Sequence, residues 1–256
     1  MPTFKITLAY DGAPFVGWQR QATGTSVQGL IEDALRLLDD GEVTVHGAGR
    51  TDAGVHALGQ VASFTLRRAV SAAVVQRALN NHLPDQVRVI GSVETAPSFH
   101  ARFGSRSKTY RYRIWNADVA HPFEQGQAWF VRGALDVDAM AAAAGSLVGR
   151  HDFAAFQAAD GTQKTTTREV FASCVSARDD RMDQGPDAAA GRLITYEISG
   201  GGFLRHMVRA IVGSLVEIGH RRHGTEWLGE LIASLDRTRA GPTAPAHGLF
   251  LVRVDY

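Results

Sequence analysis

Gly47-Ala-Gly-Arg-Thr-Asp-Ala-Gly-Val-His-Ala57 stands between two strand-like runs, Val43-Thr-Val-His46 before it and Gln60-Val-Ala-Ser-Phe-Thr-Leu66 after it. Gly47, Gly49 and Gly54 surround a guanidinium, a hydroxyl and a carboxylate: Arg50, Thr51 and Asp52. Apolar residues are scarce here, so burial does not explain the run. Glycine permits positive φ or close approach of backbone to a ligand. A tight hairpin needs only about two to five connecting residues, and this link is longer. Arg50, two residues from Asp52, can hold that carboxylate ionised by charge and hydrogen bonding. An ionised, oriented carboxylate approached through glycines is what a nucleophile requires. The plain reading is a glycine-rich connection with Asp52 as a turn residue.

Outward from this run, the first half of the chain falls into a pattern. Phe4-Lys-Ile-Thr-Leu-Ala-Tyr10 alternates and reads as a strand, ended by Asp11-Gly12 and Pro14. A loop with Phe15, Gly17, Trp18, Gln19, Arg20 and Gln21 follows. Thr25 or Ser26 can cap a helix that puts Val27, Leu30, Ile31, Ala34, Leu35 and Leu38 on one face. Beyond the run, Ser71 starts a second helix that ends near Pro84, and Val87-Arg-Val-Ile-Gly-Ser-Val93 is a strand. The order β-α-β-β-α-β is ferredoxin-like.

His100-Ala-Arg-Phe-Gly-Ser-Arg-Ser-Lys108 is polar and basic and reads as a boundary, giving halves of 1–104 and 105–256. In the second half, strands are predicted at Thr109-Tyr-Arg-Tyr-Arg-Ile-Trp115, at 128–131, 170–176, 193–198 and 249–254. Helices are predicted from Asp136 or Asp138, after Gly200-Gly-Gly202 and from Thr225. Residues 153–168 read as a long loop and 179–191 as a mobile hairpin tip. Ile6-Thr-Leu-Ala-Tyr-Asp-Gly12, then Phe15 and a helix, is echoed by Ile194-Thr-Tyr-Glu-Ile-Ser-Gly200, then Phe203 and a helix. The expected class is α+β: two ferredoxin-like, RRM-like halves whose mainly antiparallel sheets join around a central cleft.

Composition narrows the function classes. The 256 residues are 45% hydrophobic and 21% charged, as in globular chains. Apolar runs are too short for a membrane span, and residues 1–20 lack a signal-peptide pattern. Cys174 stands alone, so neither an internal disulfide nor a cysteine metal site is expected, and a cytoplasmic location is the simplest inference. The ten histidines show no ligand spacing. With 27 Lys+Arg against 26 Asp+Glu, whole-chain charge does not mark a nucleic-acid binder; local clusters must. Three basic loops stand out: residues 18–21, 100–108 and 164–168.

The nine residues Gly49-Arg-Thr-Asp-Ala-Gly-Val-His-Ala57 closely resemble the signature of the tRNA pseudouridine synthase A family. The resemblance extends over the first strand and loop, the strand of Tyr110, the Phe203-Leu-Arg-His-Met-Val-Arg209 run and the last strand. It implies a pseudouridine synthase fold and isomerisation of uridine at positions 38, 39 and 40 of the tRNA anticodon stem–loop, with Asp52 as nucleophile. The attack can fall on base or sugar; either way no cofactor is consumed. It implies that Arg50 partners Asp52 and helps to displace the base, that Tyr110 stacks on uracil, that Arg209 reaches the catalytic carboxylate and that Leu249 lines the uracil pocket. Tyr110 fits that position better than Tyr112. Arg20, Arg102, Lys108 and Arg205 are expected to meet RNA, Arg205 and Arg209 sharing a helix face at i and i+4. The family works as a homodimer. Two rivals remain: an RNA-binding protein without catalysis, and a hydrolase with His56 as general base beside Asp52.

Overall fold

The structure, a computed structural model, describes residues 1–39, 41–158, 161, 165–180 and 191–256. In chain order the elements are β1 (Thr3–Tyr10), α1 (Val27–Asp39), β2 (His46–Gly47), β3 (His56–Thr65), α2 (Ala72–His82) and β4 (Val87–Thr95). Then come β5 (Ser107–Asn116), β6 (Trp129–Val131), α3 (Val137–Gly145), β7 (Gly149–Asp152), β8 (Thr167–Asp180) and β9 (Gly191–Gly200). The chain closes with α4 (Met207–Gly219), α5 (Trp227–Ser234) and β10 (Leu249–Asp255). They form two compact units, Met1–Lys108 with Phe250–Tyr256, and Thr109–Leu249. The boundary lies four residues beyond the one read from sequence, and the last strand, expected in the second half, belongs with the first unit.

In the first unit the strands run β4-β1-β3, with β1 antiparallel to both neighbours. The outer edge of β3 carries β2, antiparallel at Gly47↔Ala62, and β10, parallel at Phe250↔His56 and Leu251↔Ala57. Phe4, Ile6 and Leu8 of β1 are fully buried, as are Val27, Ile31 and Leu35 of α1. This is the expected alternation on a strand and the expected stripe on a helix. Ser26 Oγ accepts from the Gly29 amide, 3.2 Å, and Ser71 Oγ from that of Val74, so each helix starts at a capping serine.

Two expectations fail here. The strand expected at 43–46 shrinks to His46–Gly47, because α1 side chains take the Val45 backbone: Gln28 Nε2 donates to its carbonyl, 3.0 Å, and Glu32 accepts from its amide, 3.3 Å. Conversely β3 starts at His56, not Gln60, since pairing with β10 extends it into the glycine-rich run.

In the second unit the order is β5-β9-β8-β7, with β6 parallel to β5 on its other side. The short β7 falls between the helix and the 153–168 loop read from sequence, at residues given no element there; its antiparallel pairing with β8 at 149–152 makes it a strand. β8 and β9 run longer than expected, to a pair at Asp180↔Gly191; residues 181–190 of the expected hairpin tip lie outside the described residues. Residues 154–156 add a single 3-10 turn to the expected loop. α4 is buried nearly all round rather than along one stripe, as a central helix must be. A Cβ on its Gly213 would meet the Pro242 carbonyl oxygen, and Ser214 Oγ accepts from the Gly241 amide, 3.0 Å, so residues 240–245 lie along the helix. The helix starts at Met207, not at the glycines, because His206 takes a left-handed φ of 62°. Arg205 therefore precedes the helix, and the i, i+4 relation with Arg209 does not hold.

Candidate active site

The loop between β2 and β3 is fixed from beneath. The Tyr10 hydroxyl and Thr51 Oγ1 are 2.8 Å apart in a buried contact. Burial pushes the Tyr10 phenol up to about 12, against the opposing hydrogen bonds to Thr51 and Gln60, so it stays protonated at neutral pH. Gln60, fully buried, donates to the Gly49 carbonyl, 2.8 Å. Trp18 donates its amide to the Thr51 carbonyl, 3.0 Å, and the Val55 amide closes a turn onto the Asp52 carbonyl, 3.1 Å. Gly17, with φ 107°, comes so close that a Cβ would sit 2.6 Å from the Thr51 oxygen and 3.1 Å from the Asp52 carbonyl carbon. Gly54 takes φ 78°, where glycine carries no steric penalty. Asp52 is thus a half-buried carboxylate on a backbone held by Tyr10, Gly17, Trp18 and Gln60. All four stood in runs read from the sequence, Tyr10 and Gln60 at strand ends and Gly17 and Trp18 in a loop, but none for its hold on the Asp52 backbone. The signal available was the short Tyr10-to-Trp18 loop itself, rich in glycine and aromatic rings.

Trp18, expected among the RNA contacts, is instead 2% exposed, and its indole lies on Gly47, where a Cβ would stand 2.4 Å from the ring. Arg50 is exposed and donates from Nε to Gln19 Oε1, 3.0 Å. His56 is buried, stacked on Phe250 with ring centres 4.6 Å apart. Its Nδ1 lies 3.1 Å from the Gly12 amide and 3.0 Å from Asp11 Oδ1. The two contacts exclude one another: a bare Nδ1 accepts from Gly12, and an Nδ1–H donates to Asp11. A ring so enclosed is poorly disposed to act as the base of a hydrolase.

In the second unit, β5 sets Tyr110 and Tyr112 on one face, both buried. Tyr112 donates its hydroxyl to the Pro245 carbonyl, 2.7 Å, and burial drives its pKa upward despite Arg209 nearby. Tyr110 meets Phe203 edge to face, ring centres 5.1 Å apart. Arg209, in the first turn of α4, donates from Nε to the Ala244 carbonyl, 2.7 Å, while the Ala244 amide donates back to its carbonyl, 3.1 Å. Leu249, buried, follows the 3-10 turn at Ala246–Gly248. Arg205 is exposed, and its carbonyl accepts from the Ala158 amide, 3.0 Å.

The basic loops differ in how free their charges are. Arg20 gives one terminal nitrogen to Glu32 and the other to Asp33, 3.0 Å each. Those bonds, that to Asp33 foremost, raise its pKa. Arg102 is exposed beside the Phe103 ring. Lys108 donates to Ser105 Oγ, 3.0 Å; burial, then the charge of Arg102, lowers its pKa. Lys164 lies outside the described residues, and Arg168 turns inward onto the Thr165 and Thr167 carbonyls. In the densest cationic run, residues 220–223, Arg221 pairs with Asp136 and Arg222 with Glu217. Among the described residues no group of three or more His, Cys, Asp or Glu could hold a metal ion, and no helix is long and apolar enough to cross a membrane.

The family described as tRNA pseudouridine synthase matches residues 6–104 and 143–256, which include Asp52 and Arg209 and leave Tyr110 between the two stretches. A protein named tRNA pseudouridine synthase A from Moorella thermoacetica is 45% identical over 258 residues, covering 100% of both chains. One so named from Myxococcus xanthus is 43% identical over 256 residues, covering 100% of this chain and 92% of its own. Another from Afipia carboxidovorans is 42% identical over 257 residues, again covering 100% of both. The chain belongs to the tRNA pseudouridine synthase family.

Proposed function

We propose that this enzyme isomerises uridine to pseudouridine in tRNA, at positions 38, 39 and 40 of the anticodon stem–loop, with Asp52 as nucleophile. The observation that carries the reading is identity along the whole chain with proteins named for this activity, 45% over 258 residues in one case. In the reaction the glycosidic C1′–N1 bond breaks, the uracil turns, and a C1′–C5 bond forms. The proton leaving C5 is balanced by one gained at N1, so mass is unchanged and no cofactor is needed.

The loop supports Asp52 in this role, since Thr51 and Gly49 on its N-terminal side are anchored by Tyr10 and Gln60. Tyr110, edge to face with Phe203, is the ring assigned to the base. The roles that the family gives to Arg50, Arg209 and Leu249 stay with those residues here. Arg102, Arg205 and Lys108 bind RNA. Arg20 is the weakest of the proposed contacts, because an RNA phosphate must first displace two carboxylates. In the same reading each unit is a ferredoxin-like half. The strand order β4-β1-β3-β2 of the first, antiparallel throughout, supports this. The enzyme acts as a homodimer in the cytoplasm.

The test uses an in-vitro transcribed tRNA with uridines at 38 to 40, no added cofactor, and carbodiimide labelling read by primer extension. The wild type gives stops at those positions and Asp52→Asn gives none, with a loss of at least about a thousandfold, as expected for a missing nucleophile. Stops from the Asn variant would remove Asp52 from the chemistry. Tight tRNA binding with no stops from the wild type would leave an RNA-binding protein without catalysis.

A further inference from the structure

The turn that carries Phe103 is firmly built. The His100 carbonyl accepts from the Gly104 amide, 2.9 Å. The His100 Nδ1 accepts from the amides of Arg102 and Phe103, at 3.1 and 3.3 Å. Ala101, fully buried, donates its amide to Ser63 Oγ, 3.0 Å, and its carbonyl accepts from the Tyr256 hydroxyl, 2.8 Å. Anchored in this way, the turn drives Phe103 outward, where its side chain is 78% exposed. Behind the ring lies His100, tilted 34° to it with centres 4.3 Å apart, and His100 in turn stacks on His46 at 4.6 Å and 28°. The Nδ1 of His100 accepts two amides only while it carries no proton. Burial, then His46 and Arg102, lower its pKa and keep it so.

One uncompensated charge lies over the exposed ring, and a second stands three residues further along the chain. The Arg102 guanidinium is 5.8 Å from the centre of Phe103. Among the described residues neither Arg102 nor Arg106 has a carboxylate or hydrogen-bond acceptor for its guanidinium. By contrast Arg20, Arg88, Arg221, Arg222 and Arg253 each hold a carboxylate.

We infer that Phe103 is a stacking platform for an unpaired nucleobase of the bound tRNA, with the adjoining phosphate met by Arg102 and Arg106. An exposed aromatic face accepts any base, because every base presents a π surface. The Arg102 guanidinium, over the ring at 5.8 Å, and the exposed guanidinium of Arg106 suit phosphate oxygens and carry no sequence preference. The two cations also argue against an apolar protein partner, whose approach would strand them without water. The imidazoles behind the ring hold it in a fixed plane, so little side-chain freedom is lost on stacking. The inference rests on the tRNA reading above and adds a contact that takes no part in bond making.

The experiment measures binding of an unmodified in-vitro transcribed tRNA by filter retention, for the wild type, Phe103→Leu and Phe103→Trp. Leu keeps apolar bulk but offers no π face, and should weaken binding about tenfold. Trp restores the face and should bind as the wild type does. Joint replacement of Arg102 and Arg106 by Gln should lower the slope of log affinity against log salt by about 1 to 2. Equal binding by Leu and wild type would overturn the platform. So would equal losses for Leu and Trp, which would mark the position as structural. Binding and pseudouridine formation are scored separately. A wild type that binds, responds to Leu and forms no pseudouridine keeps the platform and sinks the catalytic reading. A wild type that binds no tRNA sinks both.

Discussion

At Gly17 the whole of the Asp52 loop is at stake in one absent methyl group. The residue has φ 107°, and a Cβ would fall 2.6 Å from the Thr51 carbonyl oxygen. Gly126 offers a control, with φ 79° and nothing within 4 Å of an added Cβ. Both Gly→Ala changes should cost about 1–3 kcal/mol of backbone strain, visible as lower urea midpoints. Only Gly17→Ala should also reduce the rate of pseudouridine formation at saturating tRNA, by tenfold or more, because only there does the methyl push on the backbone of Asp52. Equal rates for the two variants would detach Gly17 from the site. Asp52 drew the reading of a site because glycines, Arg50 and Thr51 flank it directly. The residues holding the loop were not legible, since Tyr10 and Gln60 act across strands β1 and β3, and such contacts leave no local mark. Trp18 misled for the same reason. An aromatic among polar loop residues reads as exposed until Gly47 is seen to make room for it.

Among elements, helix starts were the most readable feature, because a cap is a local event. Asp136 was one of two expected starts of α3, and its carboxylate accepts from the Ala139 amide at 3.0 Å. That bond first, and the Arg221 side chain next, hold its pKa below the ordinary 3.8. A depressed carboxylate stabilises the fold above its ordinary pKa, and the benefit fades as pH falls through the native value. Asp136→Ala should therefore lower the melting temperature at pH 7, and its gap from the wild type should close as pH drops below 3.8. A gap constant with pH would show the loss to be one of helix propensity alone. Where expectation and structure part, the cause lies outside the element. α1 side chains capture Val45 and shorten β2. β10 draws the start of β3 back to His56. At α4 a left-handed His206 sets the start, a conformation taken by only a few per cent of non-glycine residues, histidine among the commoner, and so not readable from the residue type.

For the molecule as a whole, the order of elements in the first unit was readable from the sequence, but not the return of the chain. β10 pairs in parallel with β3, Asp255 accepts the Arg106 amide at 2.8 Å, and Phe250 covers His56. Nothing local in a final apolar strand says which sheet it will join. Deletion of Leu249–Asp255 should leave the outer edge of β3 unpaired beside Ala57, a template for aggregation. The expected result is loss of monodisperse protein on size exclusion, with recovery when a peptide spanning residues 249–256 is supplied during refolding. A truncated chain that stayed monodisperse would make the strand dispensable to the first unit.

That same return has a consequence in time. During synthesis residues 1–108 leave the ribosome first, yet the strand that completes their sheet is translated only after all of Thr109–Leu249. At ordinary elongation rates the wait is on the order of ten seconds. Over that interval the nascent chain carries an open strand edge just beyond its glycine-rich loop. A chain whose synthesis stops within the second unit therefore keeps that edge unpaired, a template for pairing with another chain.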